Sequence, residues 1–379
     1  MDKSQTTTKR RPWKRGKVVQ ICLSAAVIII IFAFAFPKLA DYSKVWTEIG
    51  AMTWIELSSL VLLALWNIVS YWLVMVASLP GSNYWQALKV NQTSTAVANS
   101  LPGGGALGIG VTYGMYSAYG FPKSEIALSI LVSGIWNNFA KLGMPVVALA
   151  LVAIQGNANT GLVGASLAGV GVLAGAIVLF ALTLRSDAMA RRVGTRLGSV
   201  ASFGRKVMRK PPSRDMADSV ARFRHDALGL LKRRWLWLTL ATLVSHTSLY
   251  LVLLVTLRHV GISNNEVGWA EVLAAFAFVR LISALPITPG GLGVVELGLT
   301  AALISAGGDA AQVAAAVLLY RALTYLPPIP IGAVMYLRWR RGSEARRERV
   351  AAQRDAATPR SPDERPIGPD PSVAVPTDD

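Results

Sequence analysis

Apolar residues run along this chain in long blocks, with polar residues gathered between them. About 20 apolar residues are needed to cross a hydrocarbon core of about 30 Å. On that measure the sequence predicts six spans, at 18–36, 54–79, 124–154, 160–184, 235–257 and 310–337. The third would be about 46 Å long as one helix, so it should tilt, or bend at Pro145. Gly171-x-x-x-Gly175 in the fourth suits close helix packing. The Ala33-Phe34-Ala35 triplet of the first imitates a signal-peptidase site. Further spans follow it, so the expectation is an uncleaved anchor.

Two apolar regions do not fit the simple span. Segments 84–120 and 269–307 are each interrupted at the middle. The first carries Leu101-Pro102-Gly103-Gly104-Gly105, the second Pro286-Ile287-Thr288-Pro289-Gly290-Gly291-Leu292-Gly293. Proline removes an amide donor and glycine loosens the backbone, so each region predicts a helix–break–helix hairpin that enters the membrane and returns. Setting Pro102-Gly103-Gly104 on Pro289-Gly290-Gly291, an offset of 187, also sets Gly120 on Gly307 and the apolar 126–131 on 313–318. In each copy a span precedes the hairpin and another follows. The predicted topology opens the two hairpins to opposite sides, which is an inverted repeat with a binding site near the midplane. The expected fold is therefore all-α and polytopic, with about six transmembrane helices and two re-entrant hairpins.

Composition sharpens this picture. Of 379 residues, 53% are hydrophobic and 16% charged, against about 25% charged in soluble domains. Of 38 Lys and Arg, 7 precede residue 18, 14 lie in 185–234 and 9 follow residue 337, which leaves 8 elsewhere. The net charge of +17 raises nucleic acid as a partner. The basic residues flank apolar runs, however, without base-stacking aromatics among them, so no nucleic acid is expected. The positive-inside rule instead places the termini and the 185–234 loop in the cytoplasm. The expected organisation is a basic arm (1–17), a transmembrane domain (18–340) and a disordered cytoplasmic tail (341–379). One cysteine, Cys22, excludes an intramolecular disulfide, and the three histidines lack metal-site spacing. Each of them reads as a loop or packing residue. No metal and no cofactor is expected.

The run Pro289-Gly290-Gly291-Leu292-Gly293-Val294-Val295-Glu296, followed by a helix bearing Arg321, resembles the lysylphosphatidylglycerol synthase transmembrane region, which includes the flippase domain of the multiple peptide resistance factor. The resemblance covers roughly residues 17–340. It implies lipid translocation at a bacterial plasma membrane. The residues after 340 are too few for the aminoacyl-transferase domain of the full synthase, so lysyl transfer is not implied. Family members are expected to carry charges after the first glycine cluster, where this chain has Leu107-Gly108-Ile109-Gly110.

The candidate site follows from charges placed where they are expensive. A charge at the centre of a span costs about 2.5–3.5 kcal/mol, so it should be paired or face water. Lys89, Lys141, Glu271, Arg280, Glu296 and Arg321 qualify. Arginine offers a forked donor matched to phosphate. On one reading Arg280 and Arg321 hold the phosphate of a phospholipid or polyprenyl-phosphate lipid, with Glu296 as counter-ion. On the other, these charges are a structural clamp between hairpin and helix. Lys89 and Lys141 read as snorkelling or locally paired, and Glu271 as interfacial. Asn91, Gln92, Asn99, Asn137 and Asn138 either line a hydrophilic cavity or satisfy broken helix ends. Gly103-x-Gly105-x-x-Gly108 imitates a dinucleotide fingerprint but follows no strand. The resulting expectation is a lipid flippase and not an enzyme. The alternatives are a scaffold or regulator of a lipid-modifying membrane complex, and a membrane-embedded lipid-phosphate transferase.

Overall fold

The computed structural model describes residues 42–101, 103–157, 160–207, 216–283 and 288–357, and every regular element among them is helical. The expectations for the basic arm, the first span with Cys22, Pro102, Pro286 and the tail beyond 357 lie outside the described residues. Residues up to Met335 form one compact unit, and a second begins at Tyr336. Five stretches among the described residues are long and apolar enough to cross a membrane, and many of their large side chains, such as Leu62, Leu131, Leu179 and Leu240, face outward. Exposed apolar faces on that scale are what a lipid-facing surface requires.

Helix α1 (Tyr42–Gly50) is short and buries Val45 against the later helices. The next four helices are α2 (Trp54–Ser78), α3 (Tyr84–Ser100), α4 (Gly104–Ala118) and α5 (Lys123–Val152). Helix α5 runs on through Pro145 and ends in a π turn, Ala153–Asn157. Two starts are written in the sequence as capping boxes, Thr53 with Glu56 and Asn83 with Gln86. After α6 (Thr160–Arg185) and α7 (Asp187–Val207), the pattern returns as α8 (Met216–His259), α9 (Trp269–Ile282), a 3₁₀ turn (Pro289–Gly291), α10 (Val294–Ser305) and α11 (Ala310–Thr324). Helix α12 (Pro328–Ala357) completes the described chain.

The repeat is visible in the backbone. Helices α4 and α10 end, and α5 and α11 begin, at positions 187 residues apart. Gly103 and Gly290 sit at φ 68° and 56°, and Gly120 and Gly307 at φ 91° and 111°. Glycine tolerates this left-handed region without a Cβ penalty, so the same two bends are encoded by the same residue type in both copies. The repeat is also inverted. At one end of the α2–α8 pair Arg234 Nη1 donates to Val76 O at 3.2 Å, and at the other Ser59 Oγ meets His259 Nε2 at 2.8 Å. Equivalent helices therefore run antiparallel, and the hairpins that follow them leave from opposite ends.

Two spans differ in form from expectation, and two segments expected to lack regular structure are helical. The 310–337 span keeps the length and apolarity to cross a membrane but is interrupted, because Pro327 and Pro328 follow Thr324 and proline cannot continue the amide ladder. The 235–257 span is the inner part of α8, whose 44 residues reach about 66 Å and so pass well beyond the hydrocarbon. The basic segment 185–234 is largely a helical hairpin of α7 and the start of α8. Arg191 bonds Asp187 at 2.9 Å and also Asp218, while Arg224 Nε caps Leu184 O at 3.0 Å. Lastly, the helix past Arg338 continues to Ala357 instead of fraying after its first turns.

Close packing uses glycines other than Gly171 and Gly175, which face open space within the chain. A methyl group on Gly108 would lie 2.8 Å from Ser94 O, so Gly104 and Gly108 let α4 close onto α3. Near the start of α12, Gly332 lies against α3, where an added Cβ would overlap Gln92 O and stand 2.6 Å from Ala96 Cβ. The counterpart contact, α5 against α9, joins the other two partners of the repeat. Gly332→Ala should therefore lower stability by about 1–3 kcal/mol through overpacking. Gly171→Ala should be neutral or stabilising by up to about 1 kcal/mol. Thermal unfolding of both purified variants in detergent separates the two outcomes.

Candidate functional site

The two helix breaks meet. Tyr325, at the C-terminal cap of α11, donates its hydroxyl to Asn99 O at 2.6 Å and approaches Pro289 O at 3.4 Å. Asn99 Nδ2 returns a bond to Tyr325 O at 3.2 Å. Asn99 stands just before the first break, Pro289 in the second, and Tyr325 where α11 stops. One tyrosine and one asparagine thus serve carbonyls exposed at three interrupted helices, as a broken backbone in hydrocarbon demands.

Glu296 and Arg321 hold the second break from the other side. Arg321 Nε donates to Glu296 Oε1 at 2.6 Å, and the side chains are 13% and 2% exposed. The other carboxylate oxygen, Oε2, accepts from Gly293 N at 2.6 Å. Arg321 also donates through Nη2 to Gly290 O at 3.2 Å and lies 4.4 Å above the Tyr325 ring. Both oxygens of the acid are engaged, and the arginine is committed to an acid, a carbonyl and an aromatic face. The structure thus brings together Glu296, Arg321, Gly290, Gly291 and Gly293, and ties the hairpin to α11.

A cavity of about 550 Å³ adjoins this node, within the usual range for small-molecule sites. Its wall draws on both repeats and includes Gly105 and Gly108 of the first hairpin. It carries three cations, Lys141, Arg280 and Arg321, and among the described lining residues no carboxylate. Arg280, on the first arm of the second hairpin, makes no ion pair among the described residues, and its Nε is buried without a hydrogen-bond partner. Lys141, from α5, is likewise without an ion-pair partner among them. Arg280, Lys141 and His246 lie within electrostatic reach of one another.

Two residues thus take positions that sequence reasoning did not give them. Lys141, read as snorkelling or locally paired, lines the cavity. His246, read as packing, does too. Of the five amides, Asn91, Gln92, Asn99 and Asn137 are on the cavity wall, and Asn99 also satisfies broken ends. Lys89 and Asn138 are not lining residues, and Glu271 lies in the first turn of α9 beside Gly268. Tyr325 was not singled out at all, though Pro327-Pro328 marks the break at which it sits.

Removing one partner of a buried ion pair leaves the other charge uncompensated, at about 3–5 kcal/mol. Glu296→Gln should accordingly lower the unfolding midpoint in detergent, and the double variant with Arg321→Met should recover part of the loss. A Glu296→Gln midpoint equal to that of the wild type would show that the pair does not hold the break.

No curated protein matches the chain. A family model does match, over residues 21–332, and it includes both hairpins, the ion pair and the cavity wall. On that match, the chain belongs to the lysylphosphatidylglycerol synthase TM region family.

Proposed function

We propose that this protein moves an anionic or phosphate-bearing lipid between the leaflets of the plasma membrane, as a transporter rather than an enzyme. Family membership ties the chain to membrane lipids. The observation that carries the finer reading is the cavity between two hairpins that enter from opposite ends, with cations on its wall and, among the described lining residues, no acid. A phospholipid or polyprenyl phosphate needs a polar path and a counter-charge for its head while its tails stay in hydrocarbon. Arg280, with Glu296 and Arg321 framing the break beside it, stands at the head-group end of that path.

Reconstitution in liposomes tests this directly. Fluorescent phosphatidylglycerol and polyprenyl-phosphate analogues should become accessible to an external quencher faster than in protein-free liposomes, with or without a pH or Na⁺ gradient. If folded protein leaves both at the protein-free rate, the transport reading fails. Arg280→Gln should slow transport about tenfold or more, the worth of one charge-assisted contact, whereas Lys89→Gln should not.

The proposed orientation puts the α7–α8 basic hairpin and both termini in the cytoplasm, following the distribution of Lys and Arg. In a Cys22→Ser background, Ser263→Cys should react with an impermeant thiol reagent on intact cells. Ser199→Cys should react only after permeabilisation. The reverse pattern would invert the topology.

A further inference from the structure

The cations of the cavity are not equivalent. Arg321 is committed to Glu296, to Gly290 O and to the ring of Tyr325. Arg280 and Lys141 carry charge with no acid to answer it among the described residues. They also come from different repeats, Arg280 from the second hairpin and Lys141 from α5 of the first repeat. Unpaired cations at such depth are costly, and a bound anion is the natural relief.

Three further atoms on the same wall lack partners among the described residues. His246 Nδ1 lies 3.0 Å from Thr242 O. A carbonyl only accepts, so in the neutral ring Nδ1 carries the hydrogen and Nε2 is left as an acceptor. That Nε2 is buried without a partner, as are Gln92 Oε1 and the Tyr116 hydroxyl. The unanswered groups are therefore two cations, two neutral acceptors, again with one acceptor from each repeat, and one tyrosine hydroxyl that can donate or accept. A phosphate answers the donors. Hydroxyl groups answer the acceptors, because a hydroxyl donates a hydrogen bond without bringing positive charge beside Lys141 and Arg280.

We infer that Lys141 and Arg280 together bind the phosphate of a net-anionic lipid whose head bears free hydroxyls, and that a head carrying an ammonium group is disfavoured. This rests on the transport reading for its physiological meaning, but it concerns binding alone. Phosphatidylglycerol is the simplest lipid of the class. Its lysyl ester keeps the phosphate but adds two positive charges and consumes a hydroxyl, and phosphatidylcholine lacks hydroxyls on its head. Arg321 and Glu296 contribute position and not selectivity.

Native mass spectrometry of the full purified chain, offered phosphatidylglycerol, its lysyl ester and phosphatidylcholine with matched acyl chains, tests this. Phosphatidylglycerol should be retained about tenfold over each of the others, the worth of one charge-assisted contact. Lys141→Gln should erase most of that preference with an unfolding midpoint no lower than the wild type's, and Arg280→Lys should keep more of it than Arg280→Gln. Equal retention of the three lipids, stronger retention of the lysyl ester, or an unaltered preference in Lys141→Gln would overturn the assignment. So would retention of glycerol 3-phosphate as strong as that of the lipid, which would mark a site for free phosphate esters. Quencher accessibility in liposomes, measured on the same preparations, keeps the two readings apart. Selective binding without movement refutes transport alone, and movement without selectivity refutes this site alone.

Discussion

A helix broken inside a bilayer exposes amide and carbonyl groups to a medium that cannot solvate them, and each must find a partner within the protein. This chain breaks three apolar segments of the described structure in that way: both hairpins and the α11–α12 junction. The three breaks share one solution. Tyr325 and Asn99 exchange bonds across the tips, and Arg321 reaches the Gly290 carbonyl while Glu296 takes the Gly293 amide. The cavity exists because this node keeps the tips together without filling the space beside them. A tight, fully satisfied contact on one side makes an unsatisfied wall on the other tolerable.

The two repeats share a backbone plan but not a chemistry. At the offset of 187, Glu296 corresponds to Ile109, Arg321 to Gly134 and Arg280 to Thr93. The first hairpin closes through small residues, with Gly104 and Gly108 of α4 lying directly on α3. The second has an acid at the N-terminus of α10, where a carboxylate is favoured by the free amides of the first turn. Both copies thus close their arms through small residues, Gly298 of α10 lying against Val279 of α9, and the second adds a charge pair that ties its hairpin to α11. Lys141 restores part of the balance, since it comes from the first repeat and faces the same space as Arg280.

How much of this could be read from the sequence depended on the range of the interaction. The hairpins were legible because proline and glycine act on the backbone where they stand. Glu296 and Arg321 were legible as charges in apolar surroundings, although the choice between clamp and ligand needed their distances. Lys141 was not, because a lone lysine in an apolar helix does not reveal which face it occupies. Tyr325 and Asn99 are 226 residues apart, and no local pattern announces that bond. The 185–234 segment misled for a different reason. Its charge density suggests a solvated loop, yet an added Cβ on Gly194 would stand 2.6 Å from Ala217 Cα, so this glycine lets α7 lie against α8.

The placement of the free cations bears on how a lipid head could be released as well as held. Each charge buried near the centre of a span is penalised by about 2.5–3.5 kcal/mol, and an anion shared by two of them offsets part of that cost twice over. A site that tight would trap its cargo if its geometry were fixed. Arg321 is fixed, held to the break by three kinds of contact. Arg280 and Lys141 are not tied to each other, and they ride on elements of opposite repeats. During the proposed transport, rocking one repeat against the other across the α5–α9 contact would change the distance between these two side chains while the Glu296–Arg321 clamp keeps the second break intact. The attraction for the head group then falls as the repeats part, because two charges at greater separation cannot both contact one phosphate. A fixed clamp beside a divided cation pair gives one repeat motion two consequences, opening a path and loosening the grip on what travels along it.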